Sequence, residues 1–175
     1  MAGAGRATGF VAALCCHHDA MNIVRGADCA VVQLRAMADE LTRAFGYAYP
    51  TWSASDALHE LQNVEGLPSS FVALQDGSAV GCASLLTDDE VAGYEDVAFW
   101  LGNLWVAPHV RRSGVGRALV DVVMNEARQH NAPSVHLVTD SASAWYVDLG
   151  WAEVGLASVN GHPFTVMRHD LMPRD

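Results

Sequence analysis

The chain's 175 residues suit one domain rather than two, and a hydrophobic fraction of 51% against 17% charged residues marks it as globular rather than disordered. A formal net charge of −10 argues against a nucleic-acid partner, which would need clustered cations. No apolar run reaches the ~20 residues of a membrane span, so no membrane partner is expected and the chain reads as cytoplasmic.

Residues 1–20 begin Gly- and Ala-rich and read as a flexible extension, or as sequence ahead of a true start at Met21. Arg6 and the apolar stretch from Phe10 to Cys16 resemble an export signal only superficially. The stretch is short, and Cys-Cys-His-His-Asp stands where a small-residue cleavage site belongs. Cys15, Cys16, Cys29 and Cys82 form no CxxC pair and no zinc spacing, so they read as reduced thiols and no metal is expected. Residues 21–175 then read as a single domain.

Asn22 to Arg25 suit a first strand. From Asp28 to Phe45, apolar residues recur at three- and four-residue spacing through Leu34, Met37 and Leu41, which predicts an amphipathic helix with Asp28 as its N-cap. Gly46 and Pro50 end it. Ser53-Ala-Ser-Asp56 has the pattern of a capping box and predicts a second helix burying Leu58, Leu61 and Val64. The character then changes to strands: Ser70 to Gln75, the turn Asp76-Gly77, and Ser78 to Thr87 read as a hairpin. An exposed loop through Asp88 and Gly93 leads to an extended run from Asp96 to Val106. A third helix follows to about His130, then a strand over Ser134 to Val138, a helix over Ser141 to Leu149 with Gly150 as C-cap, and strands over Trp151 to Val154 and Phe164 to His169. The order predicts a mixed α/β domain.

Three of the chain's basic residues, Arg111, Arg112 and Arg117, cluster where a strand turns into the third helix. A helix N-terminus carries unpaired backbone N–H groups and partial positive charge, so the segment from Arg111 to Arg117 reads as an anion cradle. Gly114 and Gly116 let a phosphate approach the backbone. Two familiar phosphate motifs fail here. A Walker loop needs Gly-Lys-Ser/Thr, but Arg117-Ala118 follows Gly116; a dinucleotide fingerprint needs a third glycine where Leu119 stands.

What the stretch resembles is the GNAT acetyltransferase family, through Val106-x-Pro108 followed by Arg111-x-x-Gly114-x-Gly116. The resemblance implies a mixed central sheet of about six to seven strands flanked by about four helices, with acetyl-CoA as co-substrate. It implies that Arg111, Arg112, Ser113, Gly114, Val115, Gly116 and Arg117 hold the pyrophosphate, and that Leu104, Trp105 and Val106 meet the pantetheine arm. Ala142-Ser-Ala-Trp-Tyr-Val-Asp-Leu-Gly-Trp151 is similar to a second family segment, with Trp151 in place of the usual Phe. It puts Tyr146 at the position of a general acid toward the leaving thiolate. Thr139 stands where many members carry Asn.

One departure concerns the base. Family members with an acidic residue on the fourth strand would place it near Gly102 or Asn103, neither of which accepts a proton, so a water chain or a carboxylate elsewhere, such as Glu95 or Asp96, must serve as base, with His109 and His162 as further options. Cys82 as an acyl-enzyme nucleophile lacks an evident His and acid partner. The expected chemistry is direct attack of a primary amine, best read as a small molecule bound near Tyr47, Tyr49, Trp52 and Trp100. A protein N-terminus or lysine is the alternative acceptor. A non-catalytic acetyl-CoA sensor or partner-binding module is the alternative in kind, and a homodimer is compatible with the family.

Overall fold

The structure, a computed structural model, describes residues 21–88 and 91–171; the expected extension over residues 1–20, with Cys15 and Cys16, lies outside them. Strand β1 (Asn22–Arg25) is followed by helices α1 (Val31–Phe45) and α2 (Ala54–Leu61). Next come strands β2 (Ser69–Gln75), β3 (Ser78–Leu86) and β4 (Trp100–Val106), then helix α3 (Val115–Gln129). Strand β5 (Ser134–Thr139), helix α4 (Ser143–Asp148) and strands β6 (Ala152–Val159) and β7 (His162–Asp170) complete the order, as the sequence pattern predicts.

The strands form a seven-stranded sheet in the order β1-β2-β3-β4-β5-β7-β6. Period-2 alternation assigns its faces. Phe71, Ala73, Ala83 and Leu85 pack with Leu119, Val123 and Ala127 of α3, whereas Val72 and Cys82 pack on the opposite face with Leu34 and Leu41 of α1 and Leu61 of α2. A third cluster gathers round the fully buried Trp100 with Phe164 and Val166. The β2–β3 turn places Asp76 at φ 50° and Gly77 at φ 76°, the paired left-handed conformation that a two-residue hairpin requires.

Several boundaries differ from the sequence expectation, among them β6, which runs on to Val159 rather than ending at Val154. Asp28 is consumed in a 3-10 turn, Gly26–Asp28, and α1 starts after Ala30, whose N–H donates to Gln33 Oε1 at 3.1 Å. In α2 the Ser53–Asp56 capping box forms as expected, but Ala57 and Leu61 are the buried residues and Val64, beyond the helix end, is 77% exposed. Strand β4 begins at Trp100 rather than Asp96, because Gly93 at φ 87° and the turns around Tyr94 to Val97 interrupt the extended run.

A carboxylate helps join the N-terminal strand to α3. Glu126, 5% exposed, accepts from Arg25 Nη2 at 3.0 Å and from Ser69 Oγ at 2.9 Å. Removing the guanidinium strands a buried negative charge. The Arg25→Met variant should lose about 2 kcal/mol of stability, and Arg25→Met/Glu126→Met should lose less; urea unfolding of both checks it.

Candidate active site

Strands β4 and β5 are parallel neighbours joined at one point. The ladder holds only the Trp100–His136 pair, with His136 N–H donating to Phe99 O at 3.0 Å, and beyond Trp100 the two strands diverge. From Gly102 to Val106 the residues of β4 are half-buried, paired with β3 on one side and open toward β5 on the other. An open strand edge offers alternating N–H and C=O groups to anything extended that lies in the gap. Leu104, Trp105 and Val106 are on that edge.

At the far end of β4 the chain makes a 3-10 turn, Pro108–Val110, and then the segment from Arg111 to Arg117. Arg111 donates its Nε–H to Val106 O at 2.9 Å and Ser113 donates its hydroxyl to Val110 O at 2.6 Å, so both side chains brace the turn. Arg112 adopts φ 64° and Gly114 φ 93° as the N-cap of α3, a conformation at which a Cβ is strained. That turn presents the amides of Val115, Gly116 and Arg117 at the start of a fifteen-residue helix. Trp145 of α4 stands beside Gly116, where an added Cβ would meet its ring at 3.6 Å. Arg112 and Arg117 are exposed.

The gap opens at its other end into a cavity of about 520 Å³ between the two halves of the sheet. Tyr146 of α4 lines it, its ring edge-on to Trp145 and Trp151. The side chain is 6% exposed, and burial pushes the phenol well above its ordinary range, so the group is a protonated donor at neutral pH. Thr139, also in the lining, accepts from Ala142 N–H at 3.0 Å through Oγ1 and so caps the approach to α4.

Tyr47, Tyr49 and Trp52 line the cavity, whereas Trp100 is 1% exposed and belongs to the core. Four carboxylates, Asp56, Glu60, Asp88 and Asp140, are also in the lining, and no Arg, Lys or His is among the described lining residues. Tyr47 donates its hydroxyl to Asp140 Oδ2 at 2.6 Å, tying the α1–α2 connection to the β5–α4 connection across the cavity mouth. Desolvation, together with the bonded Asp140 carboxylate, raises the Tyr47 phenol to about 12, and the same bond holds the Asp140 carboxyl below its usual range. The raised value favours the protonated phenol in the folded state. The stability of this tie is therefore present from above the ordinary carboxyl range up to pH 10, lost as pH rises through about 12, and lost again as acid protonates Asp140. In Asp140→Asn the Tyr47 phenol should titrate below its wild-type value while burial keeps it above the ordinary phenol, read by ultraviolet difference titration against the Tyr47→Phe background.

Glu95 and Asp96 sit on the exposed turn before β4, outside the cavity lining, and Glu95 accepts from Gly93 N–H at 2.9 Å, a bond that lowers its carboxyl. His109 is an exposed residue of the Pro108–Val110 turn, and His162 packs edge-on against the Tyr47 ring; neither lines the cavity. Cys82 is fully buried, which pushes its thiol up and leaves it a poor nucleophile. The residue that sequence reasoning passed over is Glu60. Its Oε1 accepts from Trp52 Nε1 at 2.8 Å and its Oε2 from Asn103 Nδ2 at 2.9 Å. The spacing held a signal: Glu60 follows the cap residue Asp56 by four positions, one turn further along the same helix face.

Residues 34–151 match the family model described as the acetyltransferase (GNAT) family. No curated protein matches the chain in sequence. Among solved structures, an aminoglycoside 6'-N-acetyltransferase from Enterococcus faecium is 18% identical with a TM-score of 0.68, covering 88% of this chain and 99% of that one. An aminoglycoside 6'-acetyltransferase type Ii is 20% identical with a TM-score of 0.67, covering 89% and 99%. A third, an aminoglycoside 6'-N-acetyltransferase complexed with coenzyme A, is 18% identical with a TM-score of 0.59, covering 79% and 92%. The chain belongs to the GNAT acetyltransferase family, whose fold its seven-stranded mixed sheet with four α-helices reproduces, and its activity is N-acetyl transfer.

Proposed function

We propose that the chain transfers the acetyl group of acetyl-CoA directly to the primary amine of a small cationic molecule. The observation that carries this is the cavity itself, about 520 Å³, bordered by four carboxylates and no cationic side chain among the described residues, and continuous with the open edge of β4. A pocket of one charge sign concentrates ligands of the opposite sign. The aromatic faces of Tyr47, Tyr49 and Trp52 suit an ammonium-bearing ligand as well.

Acetyl-CoA supplies an activated acetyl thioester. In this reading the amides from Gly114 to Arg117, with the charges of Arg112 and Arg117, hold its pyrophosphate, and the edge from Leu104 to Val106 pairs with its amide-bearing arm. Tyr146 stands where that edge meets the cavity and delivers a proton to the departing sulfur. Holding amine and thioester side by side removes the entropy cost of their meeting. The described residues include no group of three or more side chains suited to a metal.

The test is release of free thiol from acetyl-CoA with a panel of mono-, di- and polyamines, amino acids and N-terminal peptides. Small di- and polyamines should have the highest kcat/KM. The sequence contains no lysine, so acetylation of the enzyme's own lysine side chains cannot add to the signal. Binding of acetyl-CoA with no acceptor turned over would count for a sensor, and a preference for peptides would count for a protein substrate.

A further inference from the structure

We propose that Glu60, reaching the site from α2, is the catalytic base: its carboxylate receives the acceptor's ammonium and takes the first proton. The inference rests on the amine-acetyltransferase reading above.

Glu60 is half-buried in the last turn of α2, a helix fixed at its start by the reciprocal Ser53–Asp56 cap and along its inner face by Ala57 and Leu61. Each of its oxygens accepts one bond, from Trp52 and from Asn103. A carboxylate oxygen has two acceptor sites, so each keeps one for the cavity. The two clamps fix the direction of both.

Asn103 explains why the carboxylate sits where it does. The pairing of β3 with β4 shifts register between Cys82 and Ser84, and opposite that irregularity Asn103 turns to φ 54°. Such a bulge re-aims a side chain. The Asn103 amide donates to Glu60 and, at 3.3 Å, to Ser84 Oγ, while its neighbours Gly102 and Leu104 line the cavity. The carboxylate that no residue of β4 provides is thereby delivered to β4 from another element. Two other carboxylates in the lining have different duties: Asp56 accepts from Ser53 N–H and Oγ, and Asp140 accepts from Tyr47 and Ser141.

The protons balance. A primary ammonium gives one proton to Glu60, and the neutral amine forms the C–N bond to the acetyl carbon as the C–S bond breaks. The departing sulfur takes the Tyr146 proton, and the second proton, lost from the nitrogen as the amide forms, restores the phenol. Glu60 returns its own to solvent, so the products are amide, thiol and one released proton.

Glu60→Gln should lower kcat about a hundredfold, leaving acetyl-CoA affinity by calorimetry within twofold of wild type, with Glu60→Asp in between. The decisive comparison, run at mildly alkaline pH, pairs the panel's best amine with its β,β-difluoro analogue, a much weaker base that is mostly neutral there. For that analogue the loss in Glu60→Gln should shrink below tenfold, which a structural defect would not produce. The proposal is overturned if Glu60→Gln keeps kcat within threefold for the basic amine, or if the two amines lose equally. Absence of any amine turnover by the wild-type protein would overturn the reading beneath it as well.

Discussion

Gly114→Asp should reduce acetyl-CoA affinity by a hundredfold or more while the protein stays folded. Gly114 is the N-cap of α3 at φ 93°, and the space around its Cα is open, so the new side chain meets no neighbour. Its cost in the fold is backbone strain of about 1–2 kcal/mol. The new carboxylate sets a negative charge at the start of α3, where the pyrophosphate should lie, and the loss of two charge-assisted bonds at about 1.5–3 kcal/mol each exceeds a hundredfold. Gly114→Ala brings the strain without the charge and should lose far less. Calorimetric titration of both variants, with melting curves to establish folding, reads the difference.

The second large effect is expected at Tyr146. Tyr146→Phe keeps the ring that packs edge-on against Trp145 and Trp151 and removes only the hydroxyl. Stability should therefore change by less than about 1 kcal/mol, but kcat should fall by roughly a hundredfold, the usual worth of a positioned proton donor. Burial raises the phenol, so the wild-type donor stays protonated across neutral and mildly alkaline pH. An alkaline decline in wild-type kcat below pH 10 would argue against this donor. A thioester with a more acidic leaving thiol needs the proton less and should narrow the gap between the two proteins, measured by steady-state kinetics.

Much of the architecture was legible because it depends on local chemistry. Ser53 with Asp56, Asp76-Gly77 and the glycines after Pro108 each act within a few residues of themselves, and the helices and strands they bound fell in the expected order. The turn that opens α3 was legible for the same reason. The cavity was not, because it is made by elements distant in sequence: Glu60 meets Asn103 across 43 positions and Tyr47 meets Asp140 across 93. Glu95 and Asp96 were attractive candidates through nearness to β4 in the chain, and the turn at Gly93 carries both outward. The asymmetry is physical. Backbone geometry at a loop is written in the loop's own residues, whereas the partner of a buried carboxylate is set by which strand a helix crosses.

The single bridge between Trp100 and His136 has a thermodynamic meaning beyond the space it leaves. A closed parallel sheet would have to break several ladder bonds before a ligand could enter, and every molecule bound would carry that conformational tax. Here the strand edge is left unpaired by the fold, and the buried Trp100 plugs the vertex so that the divergence does not spread into the core. The opening cost is met once, when the chain folds. With acetyl-CoA placed there as proposed, the cleft is preorganised, and the ordering that remains on association falls mainly on the flexible arm of that ligand.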